Sequence, residues 1–291
     1  MFAELTAIIA PIFVAAGIGF FWAWLRRPFE AEFVTNLVTQ VGSPFLVFAA
    51  LTKLPLPMAT IGEMAGAALA AFAGFTLISM AVLRAMRLPF HSYLPALIFP
   101  NAGNMGLPLC LFAFGPKGLA LAIVFFAVHS ILQFTVGVAI AAGTADPGRL
   151  LRLPLIYAVA VALVFIATGT SVPKWLANTA DLIGGLTIPM MLLAMGVSLA
   201  RLQIASLRRS LTLSLVRLIS GAGVGLGVGW LLGLGQPATG VLAIQASMPV
   251  AVFNYLFAQL YRREPAEVAS IIVLSTLISF ATLPLLLLYL L

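Results

Sequence analysis

Apolar residues fill this chain in long runs, interrupted by short clusters of arginine, lysine, glycine and proline. Charge-free runs cover 5–25, 33–52, 64–83, 92–116, 118–145, 153–173, 182–200 and 268–291. Each is close to the ~20 apolar residues that carry a helix across a bilayer. One further run, 218–261, has 44 uncharged residues, about 66 Å as helix and too long for one crossing. It divides at Gly233-Leu-Gly-Gln-Pro237, a cluster that breaks helices. With the seventh helix starting near Trp175 and the eighth near Ser210, the pattern predicts ten crossings.

Loop charges orient them. If both termini lie outside, the inside loops hold Arg26, Arg27, Arg84, Arg87, Arg149, Arg152, Arg201, Arg208, Arg209, Arg262 and Arg263. The outside loops then hold only Lys53, Lys117 and Lys174, a strong positive-inside bias. A multi-pass protein of the plasma (inner) membrane is expected. The composition of the 291 residues agrees, with 63% hydrophobic, 8% charged and a mean hydropathy of +1.16. A soluble domain carries about a quarter charged residues, so a soluble enzyme, a disordered chain and a nucleic-acid binder fit poorly. The net charge of +7 reads as topology, with attraction to anionic membrane lipid, and no nucleic-acid partner is expected. A single cysteine, Cys110, excludes an internal disulfide and a multi-cysteine zinc site. The first run has no basic leader or small-residue cleavage site and reads as a retained helix. No predicted loop exceeds roughly a dozen residues, so the protein's work is expected inside the membrane.

The two halves resemble each other at a nearly constant offset. Ser43-Pro44-Phe45-Leu46 matches Ile188-Pro189-Met190-Met191, Ala10-Pro11-Ile12 matches Leu153-Pro154-Leu155, and Ser130-Ile-Leu-Gln-Phe134 matches Thr276-Leu-Ile-Ser-Phe280. The units are residues 1–145 and 146–291. Five helices per unit is an odd number, so the second must enter the membrane from the opposite side, as in the inverted repeats of secondary transporters. The fourth predicted helix carries Phe99-Pro-Asn-Ala-Gly-Asn-Met-Gly-Leu-Pro108, which cannot sustain a helical ladder. Its counterpart by offset is Pro249, within Gln245-Ala-Ser-Met-Pro-Val-Ala-Val-Phe-Asn254 of the ninth. Paired interruptions in corresponding positions point to a transporter's binding site, although proline kinks alone are tolerated in membrane helices.

Broken helices expose backbone N–H groups and the positive end of a helix dipole, which suits a carboxylate. Asn101 is the leading candidate contact, because its amide can donate to an anion. Asn104, Ser247 and Asn254 either touch substrate or satisfy unwound backbone. Pro249 and Val250 form the second break. His129 and Gln133 lie one turn apart on one face of the fifth helix, and their offset partners are Ser275 and Ser279 in the tenth. Both stripes are expected to line a cavity. His129 could carry a coupling proton, or sit neutral against a carbonyl. Arg217 lies about 12 Å past Arg209 at helical rise and is expected to snorkel to the headgroups, with pairing to substrate charge as the alternative. Asp181 and Glu63 are expected at the outer interface.

Asn101-Ala-Gly-Asn-Met-Gly-Leu-Pro108, Pro189-Met-Met-Leu-Leu-Ala-Met-Gly196-Val-Ser-Leu199, and Met248-Pro249 leading to Ser275-Thr276 resemble the auxin efflux carrier family. That family includes bacterial malate and malonate permeases and the plant auxin carriers. The resemblance covers essentially the whole chain. It implies an all-α integral membrane protein with ten transmembrane helices in two inverted five-helix repeats, the crossover fold of bile-acid and sodium/proton transporters. Helices one, two, six and seven would form a scaffold; helices three to five and eight to ten would form a mobile transport domain. Elevator-like alternating access would follow, and homodimers are known among plant relatives. The family pattern keeps Asn101 at the crossover. Two departures stand out. Residues 143–152 replace the long cytoplasmic loop of the plant carriers, and Val250 stands where a glutamine follows the crossover proline, with Gln245 and Asn254 as the nearest amides.

Other motifs fail. The glycines at 221, 223, 225, 227 and 229 do not match a dinucleotide fingerprint and read as close helix packing. Thr135-Val136-Gly137 lacks the rest of a potassium filter. No zinc-protease or serine-hydrolase motif occurs, so no enzyme, cofactor or metal is expected. The expected function is secondary transport of a small organic anion such as malonate, malate or an auxin-like acid, with a proton as candidate coupling ion. A cation/proton antiporter on the same fold is the alternative, although neither break contains Asp or Glu.

Overall fold

The computed structural model describes residues 2–53, 56–144, 148, 153–201 and 205–290. Most of the 143–152 connection, with Arg149 and Arg152, lies outside the described residues. Among those described, the chain is helical and has no β-strand. The helices are α1 (Phe2–Trp24), α2 (Ala31–Leu37), α3 (Ser43–Lys53), α4 (Met58–Ala85), α5 (Phe90–Ile98), α6 (Leu107–Leu132) and α7 (Val138–Ala142). The second half continues with α8 (Pro154–Thr168), α9 (Lys174–Arg201), α10 (Leu207–Leu231), α11 (Ala238–Ala246), α12 (Phe253–Leu260) and α13 (Pro265–Leu290). Three π-helical segments, Val38–Gly42, Ala102–Gly106 and Gln133–Gly137, join α2 to α3, lead into α6, and join α6 to α7.

Seven of these helical stretches are long and apolar enough to cross a membrane. Trp230, Leu182 and Leu77 point outward at 81%, 79% and 71% exposure. Solvent would not favour so many large apolar side chains on the outside; lipid does. The chain is an integral membrane protein. The other expected crossings are shorter or interrupted. Residues 153–173 contain only the 15-residue helix α8, which ends at Gly169 in the left-handed region, φ +64°. The ninth expected helix is split into α11 and α12, and the first half of the fourth is α5. Residues 102–142 run as one apolar stretch but turn a corner at Gly115, φ +64° and ψ −159°, followed by Pro116. The eighth expected helix starts at Leu207, three residues earlier than Ser210. There Arg209 is anchored by Tyr93 Oη at 3.2 Å and Glu267 at 3.4 Å.

Close packing of small residues sets the helix contacts. α1 lies along α9, and a Cβ at Gly196 would strike the Ala16 carbonyl. The alternate glycines of α10 divide by face. Gly221, Gly225 and Gly229 abut residues of α11 and the segments flanking it, whereas Gly223 and Gly227 face open space. Without a hydrophobic drive between helices in lipid, backbone approach of this kind supplies the contact. At one end Lys53 Nζ meets Asp181 at 2.8 Å, with Lys53 exposed and Asp181 half-buried, and Glu63 is exposed as well.

Candidate functional site

The two interruptions meet. α5 ends at Ile98 and α11 at Ala246, and the extended residues that follow pair as a single antiparallel bridge between Pro100 and Val250. Asn101 N donates to Pro249 O at 2.7 Å and Ala251 N donates to Phe99 O at 3.2 Å. Proline explains the geometry: Pro100 and Pro249 cannot donate to a helical ladder and disfavour the α conformation before them. Side chains brace the crossing. Val250 N donates to Ser275 Oγ at 3.2 Å, and Asn254 Nδ2 donates to Phe99 O at 3.3 Å. Gln133 Nε2 in turn donates to Asn254 Oδ1 at 3.4 Å.

Beside the crossing lies a cavity of about 310 Å³. Each of the three π-helical segments contributes to its wall, through Thr39 and Gln40, Gly103 and Asn104, and Gln133 and Phe134. A π turn inserts one residue into the helix and re-aims the side chains after it, which is why such turns gather at functional sites. Ala102 and Phe253, the first residues of 102–106 and of α12, also reach the wall, as does Ala251 just before α12. Two helix N-termini therefore meet the cavity, each carrying N–H groups without intrahelical partners and a partial positive charge. None of the described lining residues is Asp, Glu, Lys or Arg. The polar part of the wall is amide, hydroxyl and imidazole; Phe126, Phe134, Phe257 and Met191 make an apolar part.

Four residues singled out from the sequence come together here: Asn101, Asn104, His129 and Gln133 all line the cavity. Asn101 is 4% exposed, and its amide lies 3.7 Å from Met195 Sδ, a weak acceptor contributed by α9. His129 is 3% exposed and stacked on Phe125, with ring centroids 3.9 Å apart. Its Nδ1 is 3.3 Å from Phe125 O, and Nε2 has no protein partner among the described residues. A carbonyl can only accept, so the neutral ring carries its proton on Nδ1 and offers Nε2 as an acceptor.

The remaining candidates lie at the crossing or behind it. Pro249, Val250 and Asn254 build and brace it, and Ser247 Oγ donates to Ala243 O at 2.6 Å within its own helix. Gln245 does not line the cavity; it donates to Ala122 O at 3.3 Å. The stripe expected from Ser275 and Ser279 does not line the cavity. Both are fully buried, Ser275 against Val250 N and Ser279 against Thr276 O, because the second break needs that hydroxyl for its own backbone.

Arg217 also departs from expectation. It does not snorkel: it is 0% exposed, and its guanidinium donates to Leu97 O at 3.1 Å, Met248 O at 3.2 Å and Ala246 O at 2.5 Å. Sequence reasoning also passed over Thr35, Thr39, Gln40 and Ser43, which line the cavity from α2, the segment 38–42 and α3. Thr35, Thr39 and Ser43 recur at i, i+4 and i+8, a legible polar stripe along one side of this segment.

A family described as membrane transport protein matches residues 142–287. The chain belongs to this family, that of the auxin efflux carriers. Its members are membrane transporters, so this carrier has a small-molecule substrate. No curated protein matches the chain. The family match spans α8 to α13 nearly whole, and with them the second break and Arg217.

Proposed function

We propose that this carrier moves a small organic anion, a carboxylate such as malonate, malate or an auxin-like acid, across the plasma membrane. The observation that carries this reading is the cavity: two helix N-termini open on it and no charged side chain is among its described walls. Such a site attracts a negative group through N–H donors and dipoles without trapping it in an ion pair. Asn101 and the first turn of 102–106 hold the carboxylate, with Asn104 beside it, while the aromatic wall receives the rest of the molecule. Pro249, Val250, Ser247 and Asn254 keep the crossing in shape. His129, with Gln133 one turn on, is the candidate proton carrier. Protonated at Nε2, it would pair with the anion and let acid and proton travel together.

The architecture fits ten crossings in two inverted five-helix repeats, residues 1–145 and 146–291. The seven long stretches are joined by α8 and the interrupted pair α11 and α12, and residues 102–142, cornered at Gly115, complete α5 and form the next crossing. The first, second, sixth and seventh crossings would be the scaffold and dimer surface, and the rest the moving unit of an elevator. Both termini then lie outside. A cation/proton antiporter would need a carboxylate at the crossing, and no described lining residue supplies one.

The test is uptake into proteoliposomes of labelled malonate, malate and indole-3-acetate, with and without an imposed pH gradient. Saturable uptake of one acid, competed by its unlabelled form, is the expected result. Absence of uptake of all three, with sodium-dependent collapse of the pH gradient, would overturn the anion reading.

A further inference from the structure

A fully buried arginine without an acidic partner needs explanation. Among the described residues no carboxylate lies within ion-pair distance of Arg217. Its partners are instead three backbone carbonyls at the C-terminal ends of the two interrupted half-helices: Leu97 near the end of α5, and Ala246 and Met248 at and beyond the end of α11. Each nitrogen of the guanidinium serves a different carbonyl. Its face lies 4.5 Å from the Phe75 ring centroid, a cation–π contact that closes the site on that side. Helix C-termini carry partial negative charge and carbonyls without intrahelical partners. In transporters with discontinuous helices, such carbonyl clusters are where coupling cations are coordinated. The neighbouring turn of α10 is shaped for the same contact. A Cβ at Gly221 would strike the carbonyl of Ala246, the same group that accepts from Arg217. Glycine there lets α10 come close enough for the arginine one turn earlier to reach both half-helices.

We infer that Arg217 is a resident cation of the crossing: a tethered guanidinium occupies the carbonyl cradle that a metal ion could otherwise fill. It neutralises the negative poles, locks α5 and α11 to α10, and leaves only the positive poles facing the cavity. Arg217 is thus a positioning residue. On the transport reading above, the consequence is that substrate movement requires neither sodium nor potassium.

The test uses the full-length purified protein. Arg217→Ala should lower the thermal unfolding midpoint by roughly 10 °C, as expected for opening a buried charged network. Millimolar guanidinium should restore at least about half of that loss in the variant, choline should not, and the wild-type protein should respond to neither. If the alanine variant cannot be obtained folded, Arg217→Lys and Arg217→Gln decide. A folded, near-wild-type lysine variant beside a crippled glutamine variant supports the inference; equal behaviour of the two overturns it. An unchanged midpoint in Arg217→Ala, or a lowered one that guanidinium does not raise, also overturns it. In proteoliposomes, uptake by the wild-type carrier should persist when choline replaces sodium and potassium, and loss of uptake there would overturn the resident-cation role. The thermal measurements need no substrate, so they stand or fall separately from the carboxylate reading.

Discussion

The two sides of the crossing are built from the same kind of break and end in opposite ways. On one side, the carbonyl ends of α5 and α11 are bound by a buried arginine. On the other, the N–H ends of 102–106 and α12 meet a cavity walled by amides, hydroxyls, imidazole and aromatic rings. Buried helix ends without partners are costly, so each pole must be answered. The negative pole is answered by the chain itself, permanently and without exposure to solvent. The positive pole faces a space of about 310 Å³, room for a small organic acid. On the carboxylate reading proposed above, an anion would be held without a cation beside it, because the cation sits at the far ends of the same broken helices.

Substitutions can break this comparison at either pole. The largest effect is expected from Gly221→Val, which drives a branched side chain into the Ala246 carbonyl and separates α10 from α11. Overpacking costs about 1–3 kcal/mol, and the arginine contacts would be lost with it. A sharply reduced yield of folded protein, measured by size-exclusion and thermal unfolding, is the outcome. Next is Asn101→Ala, which removes a side-chain donor from the cavity wall while leaving the Asn101 N to Pro249 O bond intact. Substrate affinity should fall roughly 10- to 100-fold with little change in unfolding midpoint. Unchanged affinity would move the binding group elsewhere.

Smaller effects sharpen the picture. His129→Gln keeps a polar group but cannot carry a proton, so uptake should lose its pH dependence. A pH profile that survives the change acquits His129. Phe257→Ala trims the aromatic wall and should raise the KM for indole-3-acetate by about 2- to 10-fold, with less effect on malonate. Ser247→Ala should change uptake by less than about twofold. Its hydroxyl duplicates a bond to Ala243 O that Ser247 N already makes at 3.0 Å.

Much of the site was legible before any coordinates. Asn101 and Asn104 stand out because asparagine, glycine and proline crowd a segment that must otherwise be helical. His129 and Gln133 stand out because polar residues one helical turn apart are rare in an apolar run. Thr35, Thr39 and Ser43 obey the same rule and could have been read the same way. Ser275 marks the limit of that reasoning. Its spacing is that of a cavity stripe, yet its hydroxyl is engaged by the backbone of Val250, a partner 25 residues away that periodicity cannot reveal.

Membrane insertion, the breaks at 99–108 and 245–254, and the close-packing glycines were determined by the sequence alone. These follow from local rules: apolar length, the missing N–H of proline, and the absence of a side chain. What only the tertiary structure decided is where charge goes. Arg217 sits at a depth in α10 from which a flexible side chain could reach either the headgroups or the interior. The choice depends on whether carbonyls converge within its reach. They do so because Pro100 and Val250 pair across 150 residues and bring two helix ends to one point. Convergence of distant backbone groups is a property of the packed chain, and no local pattern encodes it.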